Sequence, residues 1–181
     1  IRHAVGSVNK SRFLMPTEIE RKFLVKNDDW RSLGTGVSYS QGYLLSSPSK
    51  TVRVRIAGEQ AYLTIKGATA GIARAEYEYA IPLDHAQELL QTLCEPPLIQ
   101  KTRYRVELNG LVWEIDEFGG ENQDLIVAEV ELVDAKQAIA LPDWIGAEVS
   151  DDPRYYNANL AKHPYSRWAE QLANDRAIEV K

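Results

Sequence analysis

Charged and apolar residues alternate along most of the chain with a period of two. Glu18, Glu20 and Lys22 share one side of an opening run whose other side carries Ile19 and Phe23. Arg53 and Arg55 stand opposite Val52, Val54 and Ile56, and Lys66 falls on the side away from Leu63 and Ile65. Glu76 and Glu78 alternate with Tyr77, Tyr79 and Ile81, and Lys101, Arg103 and Arg105 with Thr102, Tyr104 and Val106. Glu114 and Asp116 alternate with Trp113 and Ile115, and Glu129 and Glu131 with Ala128, Val130 and Leu132. Residues two apart on a strand point to the same face, about 6.6 Å from one another. Each run therefore predicts a strand with one charged and one apolar face.

The turn residues agree with that reading. Asn109-Gly110 between two alternating runs predicts a two-residue hairpin, and Gly58 marks a tight turn between "KTVRVRIA" and "EQAYLTIKG". "VSYSQGYLLSS" reads as one more strand. The clearest helix is "LDHAQELLQTLCE", with Asp84 as cap, Gln87 three residues on, and Ala86, Leu89, Leu90 and Leu93 as its apolar stripe. "NDDWRSLG" and "DAKQAIA" read as short helices, and the tail "SRWAEQLANDRAIEV" as a last one capped by Ser166. With no linker and no low-complexity segment, the pattern predicts a single α+β domain around one large antiparallel sheet or barrel.

Composition narrows the function classes. The 181 residues suit one domain with a sizeable core. No apolar run approaches the roughly 20 residues that span a bilayer. With 26 acids, 21 bases and a net charge of −5, and no basic stripe, neither nucleic acid nor a membrane is an expected partner. Cys94 is the only cysteine, which excludes an internal disulfide and a cysteine-rich zinc site and points to a cytoplasmic setting. His3, His85 and His163 form no pair at metal-ligand spacing. The first fourteen residues lack the apolar core of a signal peptide and precede the only methionine, Met15. They are expected to be an expression leader or an alternative start. The oligomeric state stays open, with a homodimer as one candidate.

A solvated sheet face accounts for any single pair of these charges. The set as a whole fits that picture less well, because Ser, Thr and Gln are scarce at these positions and acids and bases are segregated by strand. If the sheet closes with its apolar sides outward, the charges line an interior where each needs a partner or an ion. Acids there suit the hard cations Mg2+ and Mn2+. Bases suit phosphate, arginine as a bidentate fork and lysine as a point charge. The combination specifies a metal-bound polyanion, and a triphosphate is the natural length for bases spread over several strands.

Taken in order, "EIERK", "RVR", "TIKG", "EYE", "KTRY", "WEID" and "EVE", together with "QGYL" and "DPRYYNANLA", resemble the CYTH superfamily, the triphosphate tunnel metalloenzymes. The E-x-E-x-K motif of that family matches Glu18-Ile19-Glu20-Arg21-Lys22, and the resemblance runs from Thr17 to about Ala161. It implies an eight-stranded antiparallel β-barrel forming a tunnel, with helices packed outside. That domain would occupy residues 15–165, with the leader over 1–14 and a C-terminal helix over 166–181. The resemblance also implies metal-dependent hydrolysis of a triphosphate, and the bacterial tripolyphosphatase branch is the one most resembled. Lys22, Arg53, Arg55, Lys66, Arg74, Lys101, Arg103 and Arg154 would hold inorganic tripolyphosphate or another triphosphate. Glu18, Glu20, Glu76, Glu78, Asp116, Glu129 and Glu131 would place two ions of Mg2+ or Mn2+. Lys22, Glu20 and Tyr43 would serve catalysis directly. Glu114 would extend the acidic side, Arg105 the basic one, and Asn157 would join Arg154 at a tunnel mouth. Thiamine triphosphatase and class IV adenylate cyclase activities stay open at this point. So do a non-catalytic polyphosphate- or nucleotide-binding module and a structural sheet that needs no ligand.

Overall fold

The alternating runs form strands, as their period requires. The computed structural model describes residues 19–47, 49–70, 73–134 and 136–169, with the side chains of 68–70 and 73–75 left aside. Glu18, the leader and residues 170–181 of the expected last helix lie outside the described residues. The elements are β1 Ile19–Val25, β2 Gly36–Ser46, β3 Thr51–Ala57, β4 Gln60–Ala70, β5 Ala73–Ala80, α1 Leu83–Thr92, β6 Ile99–Leu108, β7 Leu111–Gly119, β8 Ile126–Leu132, β9 Ile145–Glu148 and α2 Asn157–Leu160. They build one antiparallel sheet in the order β5-β4-β3-β2-β6-β7-β8-β1-β9.

The antiparallel architecture is the expected one, but the count of eight is corrected to nine, and β5 and β9 remain the two edges of a ladder that hydrogen bonds do not close. The additional strand, β9, has four residues, too few to show a period in the sequence. It is fastened to β1 by a fork in which Arg21 donates to both Glu148 oxygens at 2.9 and 2.5 Å. The hairpin between β6 and β7 turns at Asn109 and Gly110, with φ of 53° and 74°, the double left-handed geometry of a type I′ turn.

"NDDWRSLG" contracts to a 3-10 turn at Arg31–Leu33, and a second such turn stands at Tyr165–Arg167 where the tail helix was expected to begin. "DAKQAIA" forms no helix among its described residues. There the Gln137 Oε1 and Asp134 Oδ1 acceptors take backbone N–H groups of Val133 and Lys136, a local competition with helix that such side chains favour. In α1 the cap position falls to Pro82, and Asp84 lies in the first turn.

Register puts the charges of neighbouring strands on one face. Glu20 pairs with Glu131 and Lys22 with Glu129, Arg103 with Asp116 and Arg105 with Glu114, and Lys66 with Glu76. A one-residue slip would expel all of them to the other face. That other face is apolar and covered in two places. Over β1, β6, β7 and β8, Phe23, Val106, Trp113, Ile115, Ala128 and Val130 pack under Trp30 and Trp144, which come from loops. Over β3 and β4, Val54 and Ala61 pack under Ala86 and Leu90 of α1. Among the described residues the expectation of helices outside the sheet thus holds for α1 alone, and loops carrying tryptophans cover the rest.

A third core lies on the charged face itself. Ile99, Phe118 and Val127 have the phase of Lys101, Asp116 and Glu129, yet they are buried with Tyr155, Leu160 and Trp168 of the C-terminal segment. One end of the charged face is therefore sealed by an apolar cap.

Close approach of the segment after α1 to β2 depends on Gly42. A Cβ added there would lie 2.7 Å from the Cys94 Cβ and 2.7 Å from Leu98 Cδ2, inside any tolerable contact. Gly42→Ala is expected to destabilise the fold by about 1–3 kcal/mol through overpacking. A melting temperature equal to that of the parent, followed by circular dichroism, would show that the contact of Cys94 and Leu98 with β2 yields without cost.

Candidate functional site

The charged face divides into two halves separated by β2. The first half is built by β1, β6, β7 and β8. Lys22 Nζ donates to Glu129 Oε1 and, at 2.9 Å, to Glu20 Oε1. Lys101 Nζ donates to Asp116 Oδ2. Arg103 reaches Asp116 through Nε and Nη2, each at 2.6 Å, Glu129 through Nη2 at 2.9 Å, and Glu114 through Nη1. Each of these three bases is thus neutralised by a carboxylate before any ligand arrives.

Electrostatics in this half follow from burial and pairing together. Burial works against the charge of Lys22, but Glu129 and Glu20 outweigh it and hold the ammonium above its ordinary pKa. Burial likewise opposes Arg103 and is outweighed by Asp116, Glu129 and Glu114. Full burial prevails at Lys101 and pushes its pKa down, although Asp116 acts the other way. Asp116 has no exposed surface; burial alone would raise its pKa, yet Lys101 and Arg103 hold it below the usual carboxylate range. Glu20 remains accessible to water at the rim, but it lies deep enough in the concave face that desolvation, and then the Glu129 carboxylate, raise its pKa.

The second half is built by β3, β4 and β5, and its bases are under-compensated. Arg53 Nη2 lies 3.6 Å from Glu78, and Arg55 Nη2 lies 3.2 Å from the same carboxylate. The Nε atoms of both arginines are buried and have no hydrogen-bond partner among the described residues. Burial and the neighbouring Arg55 charge lower the pKa of Arg53. Lys66 pairs with Glu76 at 2.8 Å. Two positively charged forks side by side, with donors unspent, have the chemistry that matches the oxygens of an anion.

Of the residues singled out from sequence, the structure brings Glu20, Lys22, Lys101, Arg103, Asp116 and Glu129 together in one network, and Arg53, Arg55, Lys66, Glu76 and Glu78 in the other. Glu131 stands opposite Glu20 and is exposed. Asp116 has both oxygens taken by bases, the position of a counter-ion. Arg105 is exposed and lies 3.7 Å from Glu114. Tyr43 stands opposite Arg53 in register, and its hydroxyl accepts from Gln41 Nε2 at 3.4 Å. Arg154 belongs to the C-terminal segment, paired with Asp152 at 2.6 Å and 5.2 Å from the Trp168 ring. The side chain of Arg74 lies outside the described ones.

Apart from Tyr43, sequence reasoning missed the uncharged members of this face. Thr64, fully buried, accepts from Arg53 Nη2 at 3.2 Å and donates to Glu78 at 2.8 Å. Tyr39 and Tyr62 lie against Arg55 at 5.8 and 5.4 Å. Their strand phase was the available signal, since Tyr62 and Thr64 alternate into line with Lys66.

Among the described residues no three His, Cys, Asp or Glu are grouped to hold a metal ion. No helix among them is long and apolar enough to cross a membrane.

Comparison with known proteins agrees with the charged face. The chain is 51% identical over 156 residues to an inorganic triphosphatase of Acetivibrio thermocellus, covering 86% of this chain and all of that relative. It is 41% identical over 150 residues to an inorganic triphosphatase of Nitrosomonas europaea, covering 80% and 97%. The crystal structure of the inorganic triphosphatase NE1496 superposes with a TM-score of 0.62 at 35% identity, covering 81% of this chain and 95% of that one. The CYTH domain model matches residues 16–163. With the motif, the antiparallel sheet and its charged face all in place, the chain belongs to the CYTH domain family.

Proposed function

We propose that the chain hydrolyses inorganic tripolyphosphate to pyrophosphate and phosphate on this charged face. The observation that carries the reading is the unmet demand of Arg53 and Arg55, two adjacent guanidinium groups with buried Nε donors that have no hydrogen-bond partner among the described residues. The relatives named inorganic triphosphatase support the same substrate class. Arg53, Arg55 and Lys66 receive the phosphate chain first. Lys22, Lys101 and Arg103 then exchange carboxylate oxygens for phosphate oxygens, and the Tyr43 hydroxyl would donate to a phosphate held at Arg53. These bases stabilise the charge that develops on the leaving pyrophosphate as water attacks the terminal phosphoryl group in line.

That exchange frees acids on the same face, and the donor set fits a hard divalent cation. Glu20 and Glu131 face each other across β1 and β8, with Glu129 beside them, and desolvation, then the Glu129 charge, raises the pKa of Glu20. Oxygen ligands of this kind suit Mg2+ or Mn2+, and Glu20, Glu129 and Glu131 would hold it, with Glu76 and Glu78 available to a second ion. When bound, the metal neutralises charge along the phosphate chain and lowers the pKa of the attacking water. The proposed setting is the cytoplasm, where the single Cys94 stays a free thiol.

Phosphate release tests this reading with tripolyphosphate, ATP and thiamine triphosphate, each with and without Mg2+ or Mn2+. Fast, metal-dependent release from tripolyphosphate, at least tenfold above the other two, is expected. Faster release from ATP or thiamine triphosphate, or release that survives chelation, would contradict it.

A further inference from the structure

Three bases converge on one aromatic ring. Tyr39 lies in the middle of β2, the strand between the two halves of the charged face. Its ring centroid is 5.8 Å from Arg55 Cζ, 5.8 Å from Lys101 Nζ and 5.5 Å from Arg103 Cζ. In register Tyr39 pairs with Lys101 on β6 and Ala57 on β3, so the ring faces the same side as the bases. Arg55 belongs to the under-compensated half, Lys101 and Arg103 to the neutralised one. Tyr39 therefore touches bases of both halves.

Two ways exist to hold like charges close together. A carboxylate neutralises them and consumes their N–H donors, as Asp116 does for Lys101 and Arg103. An aromatic face attracts a cation through its quadrupole and leaves the donors unspent. At the junction of the two halves, where a phosphate chain must pass from one set of bases to the other, the ring adds no further acceptor that the chain would have to displace.

We infer that Tyr39 is a positioning residue for triphosphate binding, an aromatic spacer that holds Arg55, Lys101 and Arg103 at fixed separation without taking up any of the donors that phosphate receives when the carboxylates yield them. This rests on the reading of the face as a triphosphate site. The interaction belongs to the ring face, so the phenylalanine variant should retain it and an aliphatic variant of similar bulk should lose it.

The test compares Tyr39→Leu and Tyr39→Phe with the parent, using tripolyphosphate and Mg2+ or Mn2+, in steady-state kinetics and in the thermal shift that tripolyphosphate induces. Tyr39→Leu is expected to raise KM roughly tenfold, the size of two or three contacts of this kind, with kcat changed less than threefold. Its ligand-induced shift should shrink while the ligand-free melting temperature stays near the parent value. Tyr39→Phe is expected within twofold of the parent in both constants. An active parent with Tyr39→Leu unchanged in KM would overturn the inference, as would Tyr39→Phe impaired as much as Tyr39→Leu, which would assign the role to the hydroxyl. A loss confined to kcat, or equal to the loss of ligand-free stability, would reduce Tyr39 to a structural residue. A parent that neither hydrolyses nor is stabilised by tripolyphosphate would overturn the reading of the site and this inference together.

Discussion

Asp116→Ala is expected to cost the fold about 3–5 kcal/mol, the usual effect of removing one partner of a buried ion pair, and to abolish tripolyphosphate hydrolysis with it. Asp116 has 0% exposure and the Lys101 side chain 2%, so neither charge can turn to water for compensation. Arg103 would retain Glu114 and Glu129, whereas Lys101 would lose the one carboxylate that accepts from it among the described residues. The phosphate chain would then meet an ammonium and a guanidinium that Asp116 no longer holds in place. The acid limb of stability gives an independent check. Burial raises the pKa of Asp116, but Lys101 and Arg103 outweigh it and hold it depressed. A depressed carboxylate adds stability that is present above its unfolded pKa, about 3.9, and is lost as pH falls through its folded value. Urea denaturation should accordingly show a constant gap between parent and variant from neutral pH down to about pH 5, closing at still lower pH. A gap below 1 kcal/mol at pH 7, or one that persists undiminished in strong acid, would show that Asp116 is not the counter-ion that the structure makes it.

Much of this architecture was legible because a strand exposes its period. Glu20 and Lys22, Arg53 and Arg55, and Lys101 and Arg103 each occur two apart, and that spacing alone puts both members of each pair on one face. Asn109-Gly110 announced its hairpin for an equally local reason, since few other pairs tolerate two left-handed residues. What failed was whatever depends on distant partners. Strand β9 exists because Arg21 reaches Glu148 across 127 positions of sequence, and four residues carry no period of their own. Tyr39, Tyr62 and Thr64 belong to the charged face without being charged, so a search for charge passed over them. Asp116 stands among the metal acids through the family resemblance, and its burial between Lys101 and Arg103 became visible only with the pairing of β6 and β7. The apolar cap over Ile99, Phe118 and Val127 also has no local signature, because those residues interrupt the charged phase rather than continue it.

The opposite relation between stability and function is expected at Arg53. Asp116 completes its environment, whereas Arg53 strains its own: burial and the Arg55 charge depress its pKa, its Nε has no hydrogen-bond partner among the described residues, and Glu78 is shared with Arg55. A residue held in that state stores unfavourable energy in the free protein that an incoming anion releases, so its removal should weaken binding without weakening the fold. Arg53→Ala is expected to lower kcat/KM for tripolyphosphate by roughly 10²–10³, about 3–4 kcal/mol of lost charge-assisted contacts. The ligand-free protein should melt at the parent temperature or a few degrees above it, and the stabilisation by tripolyphosphate should largely disappear. Arg53→Lys separates charge from shape: it restores the point charge without the fork, so activity should return only in part. The measurements are kcat/KM and thermal melts with and without tripolyphosphate, in the presence of metal, on all three proteins. If Arg53→Ala kept kcat/KM within threefold of the parent, the phosphate chain would not lie on β3. If it instead unfolded several degrees early, Arg53 would be a structural ion-pair residue like the bases beside Asp116, and the electrostatic asymmetry between the two halves would have no part in binding.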